Sequence, residues 1–415
     1  MIQISLPNLI LAFFAFLFLV AFLLMYLFGG TIPLKYNVGN LKARRVSTLM
    51  TILGIGVVIA VMISMMALQN GVHSAVVSSG SKDNLMVMRE GAAAELSSWV
   101  TKDAFRIIRA LPGIAQEAGK PLISPELVII FKIPKKDDPK GSNVLVRGVT
   151  PMAFTMRPYV KIVDGRMFRP GVNEVIVARR IRDRFVNTAI GDSFKFGSQT
   201  YNVVGVFDAQ GTAFDSEMWC DADFLGQARK RDAYSSLILR PTDRDAYESI
   251  KAAIKNDNRL KLEVTSEYQY YADQTNGLVG IVILVAIVTF FMTIGAILGT
   301  MNTMFSAIAS RGRELATLRA LGFKRRTIIL SVVIESAFVA LLGGLAGLIL
   351  ALPINAISTG TTNFQTFSEV AFNFRVDSRV ALNGILIALI SGIIGGMLPA
   401  LRAARTPITT ALREI

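Results

Sequence analysis

Residues able to do chemistry are few in this chain, and their spacing excludes most reactions. His73 is the only histidine and Cys220 the only cysteine, so neither a His/Cys metal cluster nor an intrachain disulfide can form. The sequence contains no GxxxxGK[ST] phosphate loop, no HExxH and no GxSxG, and one histidine leaves little general-base chemistry. The carboxylate pairs Asp137-Asp138 and Asp221/Asp223 lie beside Lys135, Lys136 and Lys140 or at a turn, where they read as solvated loop residues or helix caps. Cys220, next to Trp219, reads as a small core residue. Glu335 stands apart as an ionisable side chain well inside an apolar run, about two turns from its basic end. A carboxylate there is costly and calls for a cationic partner from the preceding turn. Companions for a proton relay are missing, so Glu335 reads as a clamp holding that turn to the helices.

The elements that must position these residues are membrane spans. The 415 residues are 52% hydrophobic with mean hydropathy +0.49. The apolar residues gather into Leu9–Phe28, Leu49–Leu68, Leu278–Leu298, Ile328–Leu352 and Ala381–Leu398, each long enough for a hydrocarbon core of ~30 Å. A net charge of +14 could suggest nucleic acid, but its placement argues for a membrane instead. Lys35, Lys42, Arg44 and Arg45 follow the first run; Arg311, Arg313, Arg319, Lys324, Arg325 and Arg326 follow the third; Arg402, Arg405 and Arg413 follow the fifth. Met1–Asn8 carries no charged side chain, and the fourth connection sets Arg375 and Arg379 against Glu369 and Asp377. Basic loops stay in the cytoplasm. The expected topology therefore has five spans, with the N-terminus and the large domain outside and the C-terminus inside.

This divides the chain into a first span at 1–30, an interfacial helix at 31–48, a second span at 49–68, an outer domain at 69–277 and a third span at 278–302. A basic turn at 303–327, a fourth span at 328–352, an outer loop at 353–380, a fifth span at 381–400 and a cytoplasmic segment at 401–415 complete it. Leu9–Phe28 lacks the basic n-region and small-residue cleavage site of a signal peptide, so a retained span is expected. Leu34, Val38 and Leu41 recur at helical spacing beside the cations, which suits a helix lying in the headgroup layer.

The outer domain reads as mixed α/β. Asn84–Arg89, Glu126–Lys132 and Asn143–Val149 suit strands, and Lys102–Leu111 has helical periodicity. Turn signals then punctuate short strands at Glu174–Val177, Ser193–Phe196 and Tyr201–Val206, which sets 152–230 apart as a β-rich insertion. Ser235–Leu239, Asp243–Ile254 and Leu260–Val264 return to strand, helix and strand. Gln69–Ser79 and Glu267–Thr275 join the domain to its spans without a Gly/Ser linker, and continuous helices there would carry movement.

Within the spans, Gly295/Gly299, Gly343/Gly347 and Gly392/Gly396 are small-xxx-small pairs that allow close helix packing. The turn Ser310–Phe323, SRGRELATLRALGF, pairs Arg311 with Glu314 at i,i+3 and leaves a narrow Leu315/Leu318 ridge. That turn resembles the cytoplasmic turn of permeases of the MacB, LolC/LolE and FtsX superfamily of ABC transporters. NLKARRVSTLMTILGIGVVIAV, DGRMFRPGVNEVIVARRIRDRF, AIGDSFKFGSQTYNVVGVF and PALRAARTPITTALREI are similar to further segments of the same proteins, in the same order.

The resemblance implies a dimeric permease, paired with a second copy or paralogue, that docks two copies of a separate ATPase subunit. The turn, with Arg311, Glu314, Leu315, Leu318 and Arg319, would be the coupling segment. ATP and Mg would be bound by that partner, with no cofactor in this chain. It implies mechanotransmission to the outer domain in an inner membrane, with export through a periplasmic adaptor and an outer-membrane duct, contact with membrane lipid, and no nucleic acid. Extraction of lipoprotein or lipid, as by LolC/LolE, and control of a cell-wall hydrolase, as by FtsX, are the alternatives. The usual members have four spans, and MacB carries a fused ATPase; an extra first span here departs from both.

Overall fold

Unbroken apolar runs satisfy their own backbone only as helices when they lie in lipid, and four of them do so in the computed structural model of this chain. It describes residues 44–196, 199–275, 279–363 and 368–408, with Gly39 and Leu41. The helices are α1 (Arg45–Val77), α2 (Val279–Ala309), the short α3 (Gly312–Ala320), α4 (Arg325–Ala351) and α5 (Ser378–Arg405). All but α3 are long and apolar enough to cross a membrane. The run Leu9–Phe28, most of the expected interfacial helix and Arg413 lie outside the described residues. Asp377 caps α5 by accepting the Val380 amide at 3.0 Å, and Gly322, at φ +98°, reverses the chain after α3 in a conformation that favours glycine.

The chain divides into two compact units. One comprises the described residues up to Asn70, together with 281–357 and 374–408; the other comprises 71–280 and 358–373. In the first, glycines set the spacing between helices. A Cβ at Gly343 would lie 2.7 Å from Ile55 of α1, one at Gly347 2.7 Å from the Gly56 carbonyl, and those at Gly392 and Gly396 would meet Ala340 and Ser336 of α4. Gly395 approaches Thr300 and the Ile297 carbonyl of α2 in the same way. Gly295 and Gly299 differ from the expectation: among the described residues nothing lies within 4 Å of a Cβ at either position, because they point away from α1, α4 and α5. Gly392→Val is therefore expected to cost about 1–3 kcal/mol by overpacking, whereas Gly299→Val leaves the isolated chain unchanged. Thermal unfolding of the two purified variants checks this, and equal melting points would refute it.

The second unit is built on one ten-stranded sheet. Its strands are β1 (Leu85–Arg89), β2 (Ile123–Ile133), β3 (Ser142–Val149), β4 (Lys161–Gly165), β5 (Glu174–Ala178), β6 (Ser193–Phe196), β7 (Gln199–Asp208), β8 (Glu217–Asp221), β9 (Ser236–Leu239) and β10 (Leu262–Ser266). They lie in the order β10-β1-β9-β2-β3-β8-β5-β7-β4, with β6 beside β7. Alternation sends side chains to opposite faces. Leu85 and Val87 pack with Ile108, Ile250 and Ile254 of the helices Lys102–Arg109 and Arg244–Asn256, while Met86 and Met88 join the core around Phe214 and Trp219.

The stretch 152–230 is β-rich, but it is no separate insert: β3 pairs in parallel with β8, and Val175–Ala178 share one core with Met86 and Leu127. The outer loop at 353–380 is also more than a loop. It forms a hairpin, β11 (Ser358–Thr362) and β12 (Glu369–Asn373). Glu369 accepts Lys135 Nζ at 2.6 Å and pairs with Arg184, and the Ala371 amide donates to Ser216 Oγ.

Candidate functional site

In the first unit the polar residues predicted from sequence converge at the basic ends of the spans. Arg311 sits between α2 and α3, and Glu335 projects from the second turn-pair of α4. Arg311 Nη1 donates to both Glu335 oxygens, at 2.8 and 3.1 Å, and Arg311 Nε donates to Glu314 Oε2 at 3.2 Å. Both partners of the first pair are buried, at 8% and 5% exposure, so the pair is shielded from the screening that weakens exposed ones. Arg319 Nη1 donates to the Thr406 carbonyl at 2.6 Å. These bonds tie α3 to α4 and to the end of α5.

The ridge of α3 is turned the other way from the expectation. Leu315 is buried against Ile328 and Ala403, with Leu318 packed beside it. Its outer face carries Arg313, Glu314, Thr317 and Ala320, ending at Leu321, which is 73% exposed. A leucine can fill one cleft only, and Leu315 fills one of its own chain.

The second unit holds a charge cluster that reasoning from sequence missed. Arg147 binds Glu95 through Nη1 and Nη2 at 2.8 and 3.0 Å, Glu217 through Nε and Nη2 at 2.8 and 2.9 Å, and Glu126 at 2.8 Å. Arg157 binds Glu126 and Glu267. Trp219, Ser236 and Asn84 donate to the remaining lone pairs. Both guanidiniums lie over the Phe214 ring, 5.2 and 4.8 Å from its centroid, a placement that stabilises a cation. All six ionisable groups are buried.

Burial works against both arginines, but the carboxylates around them prevail and hold both well above the ordinary arginine value. Burial also pushes Glu126 up, and Arg157 and Arg147 outweigh it, so Glu126 is held below the usual carboxylate range. At Glu217 burial prevails, and its carboxyl is raised. The signal for this cluster was present as single charges inside apolar strands, in SPELVII, NVLVRGV and EMWC. Only the sheet order says that they meet.

Other sequence candidates are structural. Asp221 caps the helix Ala222–Ala228, Asp223 accepts the Tyr234 hydroxyl at 3.0 Å, and Asp138 accepts the Lys140 amide. Cys220 is buried, and burial pushes its thiol up, the opposite of a reactive thiolate. Among the described residues no group of three His, Cys, Asp or Glu could hold a metal ion.

The family model of the MacB-like periplasmic core domain matches residues 48–257, and that of the FtsX-like permease C-terminal matches residues 286–408. The chain belongs to the MacB/FtsX superfamily of ABC transporter permeases. Both matched models describe permease domains. The permease is similar to the macrolide export ATP-binding/permease protein MacB of Bordetella avium, 24% identical over 426 residues that cover 93% of this chain and 60% of that one. It thus spans about three-fifths of the length of the MacB relatives it matches. The uncharacterized ABC transporter permease MJ1507 of Methanocaldococcus jannaschii is 22% identical over 407 residues, 90% of this permease and 96% of that protein. Among solved structures, the periplasmic region of MacB from Actinobacillus actinomycetemcomitans matches 46% of the permease with a TM-score of 0.36 and 12% identity.

Proposed function

We propose that this permease couples a separate ATPase to movements of its outer domain and so drives export. What carries the reading is the anchored turn. α3 is fastened to α4 by the buried Arg311–Glu335 pair and to α5 by Arg319, while its outer face of Arg313, Glu314, Thr317, Ala320 and Leu321 is solvent-exposed. A push on that face reaches two spans without being lost in loop motion. The positive-inside rule puts this end in the cytoplasm, where an ATPase works. The partners that follow are two ATPase copies, a second permease copy, and an adaptor and duct beyond the membrane. The name of the Bordetella relative supports export as the outcome.

α1 runs without a break through Asn70 to Val77, so one helix continues from membrane length into the chain of the outer unit. That is the direct covalent route for movement. The third span begins at Val279, and residues 276–278 before it lie outside the described residues.

The test targets Leu321. Seating a leucine in a partner cleft is worth roughly 1.5–3 kcal/mol, so Leu321→Asp is expected to weaken ATPase binding by about ten- to a hundredfold while insertion and melting temperature stay unchanged. Leu315→Asp, by contrast, is expected to loosen α3 itself. Co-purification of the ATPase with each variant, with transport assayed in cells, measures this. Wild-type binding and transport by Leu321→Asp would remove the turn from the coupling route.

A further inference from the structure

We propose that a groove at the basic ends of α2, α3 and α5 holds the phosphate headgroup of an anionic phospholipid. The groove has a volume of about 430 Å³ and is lined by Phe305, Ala309, Gly312, Arg319, Arg402 and Thr406, among others. Among the described residues no carboxylate lines it. Its walls are apolar side chains at the ends of two spans, and its two ionisable groups are both arginines.

Those arginines have donors to spare. Arg319 uses one nitrogen on the Thr406 carbonyl, and Arg402 lies over the Phe305 ring, 5.8 Å from its centroid. No other hydrogen bond or ion pair engages either guanidinium among the described residues. A guanidinium offers five N–H donors in a planar fork that matches a phosphate. Phosphate therefore matches the donors that half-buried Arg319 and exposed Arg402 present to the groove.

A free phosphate would satisfy the arginines and leave Phe305, Ile308 and Pro399 against water. A phospholipid satisfies both halves, because its glycerol and first methylenes cover the apolar wall. The depth also agrees: the groove lies where α2 ends at Ala309 and α5 ends at Arg405, the level of the headgroups, and basic pockets between spans on the cytoplasmic side take anionic lipid. The inference rests on α2 and α5 crossing the membrane and not on the ATPase.

The experiment uses the full chain, stripped of lipid in a mild detergent, titrated with dioctanoyl phosphatidylglycerol, dioctanoyl phosphatidylcholine or inorganic phosphate and read by native mass spectrometry. Phosphatidylglycerol is expected to bind at one saturable site, with phosphatidylcholine and phosphate at least tenfold weaker. Each basic residue near an anionic headgroup is worth roughly a fivefold change in affinity, so Arg402→Gln lowers binding by about that factor and Arg319→Gln with Arg402→Gln by about 25-fold. Ala309→Trp keeps both arginines and fills the groove, and is expected to abolish binding with the melting temperature intact. Equal affinity for the two lipids, saturation by phosphate alone, or wild-type binding by Ala309→Trp would each overturn the proposal. So would at least tenfold tighter lipid binding by a chain ending at Ile408, since residues 409–415 would then be the resident occupant.

Discussion

Arg147→Met is expected to lower the melting temperature of the outer unit by about 10 °C or to prevent its folding. Removing one partner of a buried ion pair costs about 3–5 kcal/mol, because the other charge stays buried without compensation. Arg147 leaves two carboxylates in that state, Glu95 and Glu217, while Glu126 keeps Arg157. For a unit of this size each kcal/mol moves the midpoint by about 2–4 °C. Trp219 reports directly, since its indole donates to Glu217 at 2.8 Å, and fluorescence-monitored unfolding of the full chain is the measurement.

The carboxylates are expected to respond unequally. Glu126 is held below the usual range by two guanidiniums, so the fold stabilises its charged form, and Glu126→Gln discards that stabilisation. Glu217 is raised by burial, so the fold already disfavours its charge. Glu217→Gln is the milder change. Adding it to Arg147→Met should recover part of the lost midpoint. A melt shifted by less than about 2 °C in Arg147→Met, against the cost of an orphaned buried charge, would mean that water reaches the cluster.

The second large effect concerns the pair that fastens the turn. Glu335→Gln leaves Arg311 without its principal carboxylate at 5–8% exposure, at an expected cost of about 3–5 kcal/mol. The exchange Arg311→Glu with Glu335→Arg is expected to recover most of it. Replacing both by apolar residues, Arg311→Met with Glu335→Leu, is expected to be neutral or stabilising by the same reasoning, yet to lower transport, because α3 then loses its directional tie to α4. The comparison separates holding the fold from holding the turn. Full transport by the apolar pair would show that any packing of α3 on α4 suffices.

Much of this architecture was legible from periodicity and charge alone. The spans are runs such as Leu278–Leu298, which become helices because lipid offers the backbone no other partner, and a cationic partner for Glu335 followed from the cost of a lone carboxylate there. The strands Glu174–Ala178 and Ser193–Phe196 and the helix Arg244–Asn256 fall within two residues of their expected ends because alternation and caps are local properties.

What only the tertiary structure decided are facts about distant partners. The sequence marked Glu126, Arg147 and Glu217 as charges in apolar strands; the pairing of β2 with β3 and β3 with β8 brought them within hydrogen-bond reach. Glycine spacing made Gly295/Gly299 and Gly392/Gly396 look alike, and rotation about each helix axis turned one pair outward and the other onto Ala340 and Ser336. A narrow ridge on α3 named Leu315 and Leu318, but which side of a short helix meets its own chain depends on where Ile328 and Ala403 lie. Spacing along the chain states what a residue can present, and only the packing of distant segments selects what it meets.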